Sequence, residues 1–176
     1  MVRSANVSKQ TALTIEAWKV RFEEFWRSSP SRNVVFIGVG HPLRGDDYVG
    51  SYVMKEVMKR SKNRHNVQLL DAEASIESVI AKASELKPGH VIFIDACEMN
   101  GQPGETQLLS VEMTDYPFFT THGIPLKLLA QKMLPESETW VLAIQPKQVE
   151  FGDGLSPEVQ EAAKSISEYI LTRMET

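Results

Sequence analysis

Hydrophobic residues occur along this chain in two kinds of run. Short runs that are apolar throughout and rich in β-branched residues are typical of strands buried on both faces of a parallel sheet. Segments with an apolar residue every three or four positions predict amphipathic helices. The strand runs are 34–39, 66–70, 91–94 and 140–144, and the helical segments are 48–62, 75–86, 125–134 and 156–170. Because the two kinds alternate, the pattern predicts an α/β fold: a three-layer helix/sheet/helix sandwich of about five mostly parallel strands.

Two further elements lie outside this alternation. Residues 106–111 predict a shorter strand, for which an antiparallel position at an edge of the sheet is open. Near the amino terminus, Ile15, Trp18, Phe22 and Phe25/Trp26 recur with helical spacing and predict an amphipathic helix with an aromatic stripe. We interpret it as an extra helix packed on the sheet; a partner-binding helix is the alternative. The predicted organisation is an N-terminal extension with one helix (1–32) and a single α/β domain (33–176).

Composition narrows the possible functions. A net charge of −4 over 176 residues shows no basic surface, so we expect no nucleic-acid partner. The single cysteine, Cys97, can form neither an internal disulfide nor a cysteine-based structural zinc site. No apolar run approaches the roughly 20 residues that span a bilayer, and the first residues lack the apolar core of a signal peptide. These features predict a cytoplasmic protein without membrane insertion.

Acidic residues follow the first three predicted strands. Asp46 and Asp47 come after the glycine-rich turn that ends the first strand, Asp71 follows the second strand, and Asp95 follows the third. The carboxyl ends of parallel strands meet at one edge of the sheet, where α/β folds keep their ligands. We therefore expect these carboxylates to lie near one another.

A histidine completes a candidate metal site. His122 lies on a loop before Gly123, ahead of the helix that begins near residue 125. Carboxylates combined with an imidazole suit nickel, zinc or iron better than magnesium or calcium. Three protein ligands would leave a coordination position open for water or substrate. Each residue also has an ordinary alternative: Asp46 and Asp47 as helix caps, Asp95 as a turn cap, and His122 as a surface or core histidine.

Nucleotide binding is the first competing hypothesis, and the pattern disfavours it. Gly38 and Gly40 match the start of a dinucleotide-binding fingerprint, but Leu43 stands where the third glycine belongs. The spacing from Gly40 to Gly45 matches a P-loop, yet two aspartates replace its Lys-Ser/Thr pair. Carboxylates at a helix start would repel a phosphate.

A cysteine nucleophile is the second competing hypothesis. Cys97 lies two residues after Asp95, and an approach to His122 is conceivable. However, no nucleophile elbow and no helix start that would lower the thiol pKa surrounds it. The simpler interpretation is a small buried hydrophobic residue.

The turn at 38–50, with the sequence GVGHPLRGDDYVG, resembles the opening motif of the hydrogenase maturation endopeptidases. Three further segments agree in order and spacing: 95–105, 120–126 (TTHGIPL) and 144–146 (IQP). These three segments are most similar to the hydrogenase 3-type branch of the family. The resemblance extends over about residues 33–172. It departs from the family at His41, where asparagine is usual, and at 71–74, where Asp-Ala-Glu-Ala replaces Asp-Gly-Gly.

The resemblance implies an α/β peptidase and a substrate. The family removes a short C-terminal extension from the large-subunit precursor of NiFe hydrogenases after nickel insertion. Its metal ligands fall on Asp47, Asp95 and His122, which we expect to be the catalytic residues. The nickel is expected to be carried by the precursor, so that the enzyme needs no tightly held metal of its own. The alternative is a binding module or chaperone for the nickel-loaded precursor.

Five other residues are expected to contact substrate or to support the three ligands. They are Gly40, His41, Asp46, Asp71 and Gly123. Asp46, the first residue of the acidic pair, is expected to be a helix cap or a supporting group.

Overall fold

A computed structural model of the protein describes residues 17–28, 33–62, 66–73, 75–112, 124–152 and 154–175. Helices and strands alternate through most of this length. In chain order they are α1 (Ala17–Ser28), β1 (Val34–Val39), a 3-10 turn (Gly45–Tyr48), α2 (Val49–Arg60), β2 (Val67–Glu73), α3 (Ile76–Glu85), β3 (His90–Ala96), β4 (Thr106–Ser110), α4 (Leu126–Met133), β5 (Glu138–Ile144) and α5 (Pro157–Glu175).

The five strands form one sheet in the order β2-β1-β3-β5-β4. The first four in this order are parallel, and β4 pairs antiparallel with β5 at the edge. The predicted class, an α/β sandwich of about five mostly parallel strands, is confirmed. The carboxyl ends of β1 and β3 are adjacent, since Gly38 is in register with Ile94.

Helices cover both faces of the sheet, which explains why the central strands are apolar on both sides. On one face, α1, α2 and α5 share a buried cluster with residues of β1, β3 and β5, including Phe36, Ile94 and Ile144. On the other face, α3 and α4 pack against Val35, Phe93 and other residues of the same strands. This three-layer arrangement holds the strand ends, and thus the loops that follow them, in fixed positions.

Helix α1 packs on the sheet, as its aromatic stripe predicts. Trp18, Phe22 and Phe25 are buried. The ring of Phe22 is stacked 6.2 Å from that of Phe36 in β1, and Trp18 meets Tyr169 of α5 edge-on at 5.0 Å. The helix therefore belongs to the same hydrophobic core as the sheet. Ile15, the first residue of the predicted stripe, lies outside the described residues.

Several element boundaries differ from prediction, and two of these differences change where acidic residues lie. Asp71 and Asp95 belong to β2 and β3 themselves, because the strand pairing continues past the apolar residues: Asp71 pairs with Gly38 and Asp95 with Ala143. A 3-10 turn that contains Asp46 and Asp47 precedes α2. Among the helices of the described residues, none is both long and apolar enough to cross a membrane.

Candidate active site

Two glycines bring the loop after β1 very close to neighbouring backbone. A Cβ atom on Gly50 would lie 1.9 Å from the carbonyl oxygen of Ile94, and one on Gly40 would lie 1.7 Å from that of Asp47. Gly40 also has a φ of +134°, a conformation that residues with a side chain disfavour. The start of α2 therefore packs directly on the end of β3, which brings Asp47 near Asp95.

Asp47 and Asp95 form a pair of carboxyl groups at this edge of the sheet. Part of the Asp95 residue is exposed, but protein atoms closely surround its carboxyl group. This burial, followed by the negative charge of Asp47, raises the pKa of Asp95 from 3.8 to about 8, since both effects disfavour its ionised form. A cation bound by the two carboxylates would reverse this effect and stabilise both as anions.

The turn between Gly40 and the acidic residues orients the Asp47 side chain. The backbone amide of His41 donates a hydrogen bond to Oδ2 of Asp47 at 3.1 Å. The imidazole Nδ1 of His41 accepts a hydrogen bond from the amide of Leu43 at 3.2 Å, so the neutral ring carries its proton on Nε2. His41 thus stabilises the turn that holds Asp47, while contact with substrate stays a prediction.

Of the two roles expected for Asp46, helix cap or supporting group, its contacts fit the second: the fully buried side chain binds a distant segment. Its Oδ2 accepts hydrogen bonds from the amides of Lys147 (2.8 Å) and Gln148 (3.0 Å) and from the hydroxyl of Ser156 (2.9 Å). Its Oδ1 accepts the Ser156 amide at 2.6 Å. Four hydrogen-bond donors can hold a buried carboxylate in its charged form. Asp46 therefore ties the Asp47 loop to the loop before α5.

Asp71 supports the same turn from β2. Its Oδ1 accepts hydrogen bonds from the hydroxyl of Ser51 (2.7 Å) and from the amide of Glu73 (3.1 Å). The Ser51 hydroxyl also lies 3.0 Å from the carbonyl oxygen of Gly40, and Lys55 Nζ lies 3.5 Å from Asp71 Oδ2. These contacts fit the expected supporting role, and direct contact of Asp71 with substrate stays a prediction.

The loop after Asp95 is held by Gln145, to which sequence analysis assigns no role beyond its place in the IQP motif. Gln145 is 4% exposed. Its Oε1 accepts hydrogen bonds from the amides of Met99 (2.7 Å) and Gly101 (3.1 Å), and its Nε2 donates to Glu98 Oε1 at 2.8 Å. The signal available in the sequence is a polar residue directly after a buried strand.

Two predicted site residues, His122 and Gly123, lie outside the described residues. Within the described part of the chain, no three His, Cys, Asp or Glu side chains are grouped closely enough to hold a metal ion. Cys97 is buried in the core on the α3/α4 face. Its burial and the nearby charge of Asp95 raise the pKa of the thiol well above its usual value, which disfavours a thiolate nucleophile.

The sequence is similar to that of a known protein family. Residues 51–173 match the family model described as HycI, hydrogenase maturation protease. The chain belongs to the hydrogenase maturation protease family. This protease is 31% identical over 128 residues to a putative hydrogenase maturation protease of Methanocaldococcus jannaschii, which covers 68% of the chain and 76% of that relative. It is 26% identical over 134 residues to the hydrogenase 3 maturation protease of Escherichia coli K12, covering 75% and 85% of the two chains.

Solved structures agree with the fold. The crystal structure of a NiFe hydrogenase maturation protease HycI from Thermococcus kodakarensis superposes with a TM-score of 0.76 at 24% identity, covering 86% of this chain and 99% of that one. The crystal structure of a hydrogenase 3 maturation protease gives a TM-score of 0.70 at 25% identity, covering 78% and 88%. The family model and the sequence relatives confirm the family resemblance of the motifs, and the protein is a hydrolase of this family.

Proposed function

We propose that this protease removes the C-terminal extension of a NiFe-hydrogenase large-subunit precursor after nickel has been inserted. Asp47, Asp95 and His122 would bind the inserted nickel and so position the scissile bond. Family membership supports the substrate class, because the relatives that match this chain are named for hydrogenase maturation. The T. kodakarensis relative is named for a NiFe hydrogenase.

The observation that carries the proposal is the electrostatic coupling of Asp47 and Asp95. The charge of Asp47, added to burial, keeps the Asp95 pKa near 8 in the free protein. Two carboxylates that repel each other in this way are unfavourable as a doubly charged pair unless a cation is bound. A nickel ion carried by the precursor would supply the missing positive charge, and Asp95 would release its proton on binding. The arrangement therefore favours a precursor that carries nickel over one that does not.

The chemistry proposed for the pair is hydrolysis of a peptide bond beside the nickel. The oxygen of a water molecule adds to the scissile carbonyl carbon, and a carboxylate accepts the proton that the water loses. The carbon–nitrogen bond then breaks, and the leaving amine takes up a proton. Nickel polarises the carbonyl in this scheme. Because the metal arrives with the substrate, the enzyme requires no tightly bound metal of its own.

The experiment is to incubate the nickel-loaded precursor with the wild-type protease and to weigh both proteins by mass spectrometry. We expect the precursor to lose a C-terminal peptide, and we expect Asp47→Ala to leave its mass unchanged. Glu136→Gln is the matched control and should cut like wild type. Glu136 is an exposed acid in the turn before β5, away from the carboxyl ends of the parallel strands. A precursor that binds wild-type protein without losing mass would indicate a binding module and remove the peptidase proposal.

A further inference from the structure

The segment between β5 and α5, described over residues 145–152 and 154–156, contacts the turn that carries Asp47 and the loop that follows Asp95. At its start, the Gln145 side chain binds residues 98–101, which follow Asp95 along the chain. Further along, the amides of Lys147, Gln148 and Ser156 bind the side chain of Asp46, which directly precedes Asp47. The same polypeptide segment thus holds the turn that carries Asp47 and the loop that follows Asp95 through two buried polar side chains.

Backbone hydrogen bonds strengthen this connection on the Asp47 side. The amide of Asp46 donates to the carbonyl oxygen of Gln148 at 2.9 Å, and the amide of Gly45 donates to that of Gly152 at 3.0 Å. The amide of Gly152 returns a bond to the carbonyl oxygen of Leu43 at 3.1 Å. Residues 43–46 and 148–152 therefore run side by side and form an isolated parallel β-bridge between Arg44 and Gly152.

The Asp95 side is connected in a similar way. The amide of Cys97 donates to the carbonyl oxygen of Ile144 at 2.9 Å, which continues the pairing of β3 with β5 beyond the strand ends. The amide of Gly104 donates to the carbonyl oxygen of Gln145 at 2.9 Å, and the amide of Gln145 donates to that of Glu105 at 2.8 Å. Gln145 is thus fixed by its backbone while its side chain holds residues 98–101.

We propose that Asp46 and Gln145 are positioning residues that fix the separation of Asp47 and Asp95. They do so by anchoring the turn that carries Asp47 and the loop that follows Asp95 to the same segment, residues 145–152 and 154–156. Neither residue is assigned a contact with substrate or nickel. The separation of the two carboxylates matters because both groups have to reach the same metal ion. Mutation of residues that support metal ligands commonly lowers activity by about 10- to 100-fold. The inference rests on the proposed function for its kinetic test, and a second test is independent of activity.

Asp46→Asn is the most informative variant because the amide has the size of the carboxylate. With its oxygen on the Ser156 amide, its NH₂ group faces the Lys147 and Gln148 amides, which are also donors. With the amide reversed, its NH₂ group faces the Ser156 amide instead. Neither orientation of asparagine therefore provides an acceptor for every donor that binds Asp46. We expect the amides of Lys147 and Gln148, or that of Ser156, to move away from the side chain.

Gln145→Glu tests the other anchor and offers a rescue. The carboxylate keeps an acceptor for the Met99 and Gly101 amides, but it meets the carboxylate of Glu98 where a hydrogen bond existed. Adding Glu98→Gln restores that bond with donor and acceptor exchanged. Glu98 is exposed, so this second change alone should have little effect.

The kinetic test compares these variants with a core variant, Ile166→Val or Ile166→Ala, chosen to match their loss of melting temperature. Ile166 is fully buried in α5 and takes no part in either anchor. Well below the melting temperature, we expect Asp46→Asn and Gln145→Glu to lower kcat by about 10- to 100-fold with KM little changed. The Ile166 control should keep its kcat, and Glu98→Gln should restore Gln145→Glu. Variants that cut as fast as the stability-matched control would overturn the proposal.

Amide hydrogen exchange tests the connection without any substrate. If residues 145–156 link the two loops, Asp46→Asn should speed exchange at Met99 and Gly101, which bind Gln145, as well as at Lys147 and Gln148. Faster exchange confined to Lys147, Gln148 and Ser156 would mean that the loops are held independently, and the inference would be wrong. A wild-type protein that does not cut the precursor would remove the proposed function instead, while this exchange experiment would still decide the role of Asp46 and Gln145.

Discussion

Two regions of this protein bury side chains in opposite ways. Where α1 meets the sheet, aromatic rings fill the space between helices and strands, as Phe22 does between Phe36 and Tyr169. At the carboxyl edge, the buried groups are carboxylates and a carboxamide, and glycines bring backbone against backbone. Burying the rings stabilises the fold directly. Burying Asp95 costs stability whenever its carboxyl group is ionised.

Phe22 and Asp95 should therefore respond to substitution in opposite ways. A truncated ring at α1 removes stability and leaves the chemistry of the remaining folded protein intact. Neutralising Asp95 removes chemistry and relieves an unfavourable burial. The stability–activity relationship is therefore expected to change sign between the rings of α1 and Asp95.

The largest expected effect is on cleavage at the edge. Asp95→Asn keeps the size of the side chain but loses its charge and its ability to accept a proton. We expect kcat for the nickel-loaded precursor to fall by about 10³-fold or more, measured by the mass of the processed product over time. Glu136→Gln is the control for a neutralised acid and should cut normally. An Asp95→Asn protein that retains a tenth of the wild-type rate would contradict the assignment of Asp95.

The next largest effect is on stability at α1. Phe22→Ala removes a fully buried ring and should lower the free energy of unfolding by about 3 kcal/mol, measured by urea denaturation. The kcat of the folded protein should be unchanged, since the ring packs in the core against Phe36 and Tyr169. Val20→Ala lies on the same helix at a position that is 63% exposed, and it should change stability by less than about 0.5 kcal/mol. A large fall in kcat for Phe22→Ala would show that the two regions are coupled.

A smaller effect, of opposite sign, is expected in the pH dependence of stability. Between the ordinary pKa of 3.8 and the folded-state value of about 8, the folded protein holds a proton on Asp95 that the unfolded chain has lost. The stabilisation from this group is complete below pH 3.8 and is lost as the pH rises through about 8. Asp95→Asn cannot titrate, so its advantage over wild type should grow with pH.

We expect this advantage to reach at least about 1 kcal/mol at pH 9, which is about 2–4 °C in melting temperature for a chain of this size. Scanning calorimetry at pH 5 and pH 9 measures it. The same difference between the two proteins at both pH values would contradict the raised pKa of Asp95.

The smallest effect is expected at the contact between α1 and α5. The Tyr169 hydroxyl is bonded to Glu23 of α1, and burial together with this contact raises the pKa of Tyr169. Tyr169→Phe keeps the ring against Trp18 and Phe22 and removes only the hydroxyl. We expect a loss of about 1 kcal/mol in the free energy of unfolding without any change in kcat. Stability equal to wild type would indicate that the rings, and not the hydroxyl, hold α1 in place.

Much of the fold follows from local sequence patterns. The apolar runs at β1, β3 and β5 predict buried parallel strands, and the aromatic stripe predicts that α1 packs on the sheet. The acids at the edge are also predictable, because parallel strands end at one side. The ends of β2 and β3 cannot be predicted in this way, because pairing with neighbouring strands extends them through Asp71 and Asp95.

The supporting contacts of the site are beyond sequence patterns for a physical reason. Asp46 accepts hydrogen bonds from Lys147, Gln148 and Ser156, which follow it in the chain by 101, 102 and 110 residues. An acidic residue at the start of a helix suggests a cap, because local partners are the ones that a sequence displays. Gln145 likewise binds a loop that precedes it by more than 40 residues. Only the three-dimensional arrangement reveals such partners.

The central claim is that Asp47 and Asp95 recognise the nickel that the precursor carries. The most direct measurement is the affinity of the protease for nickel-loaded and for nickel-free precursor, in wild type and in Asp95→Asn, by isothermal titration calorimetry. Wild type should bind the nickel-loaded form at least about tenfold more tightly, or by about 1.4 kcal/mol, and Asp95→Asn should lose most of this difference. Equal discrimination by both proteins, or none by wild type, would contradict the claim.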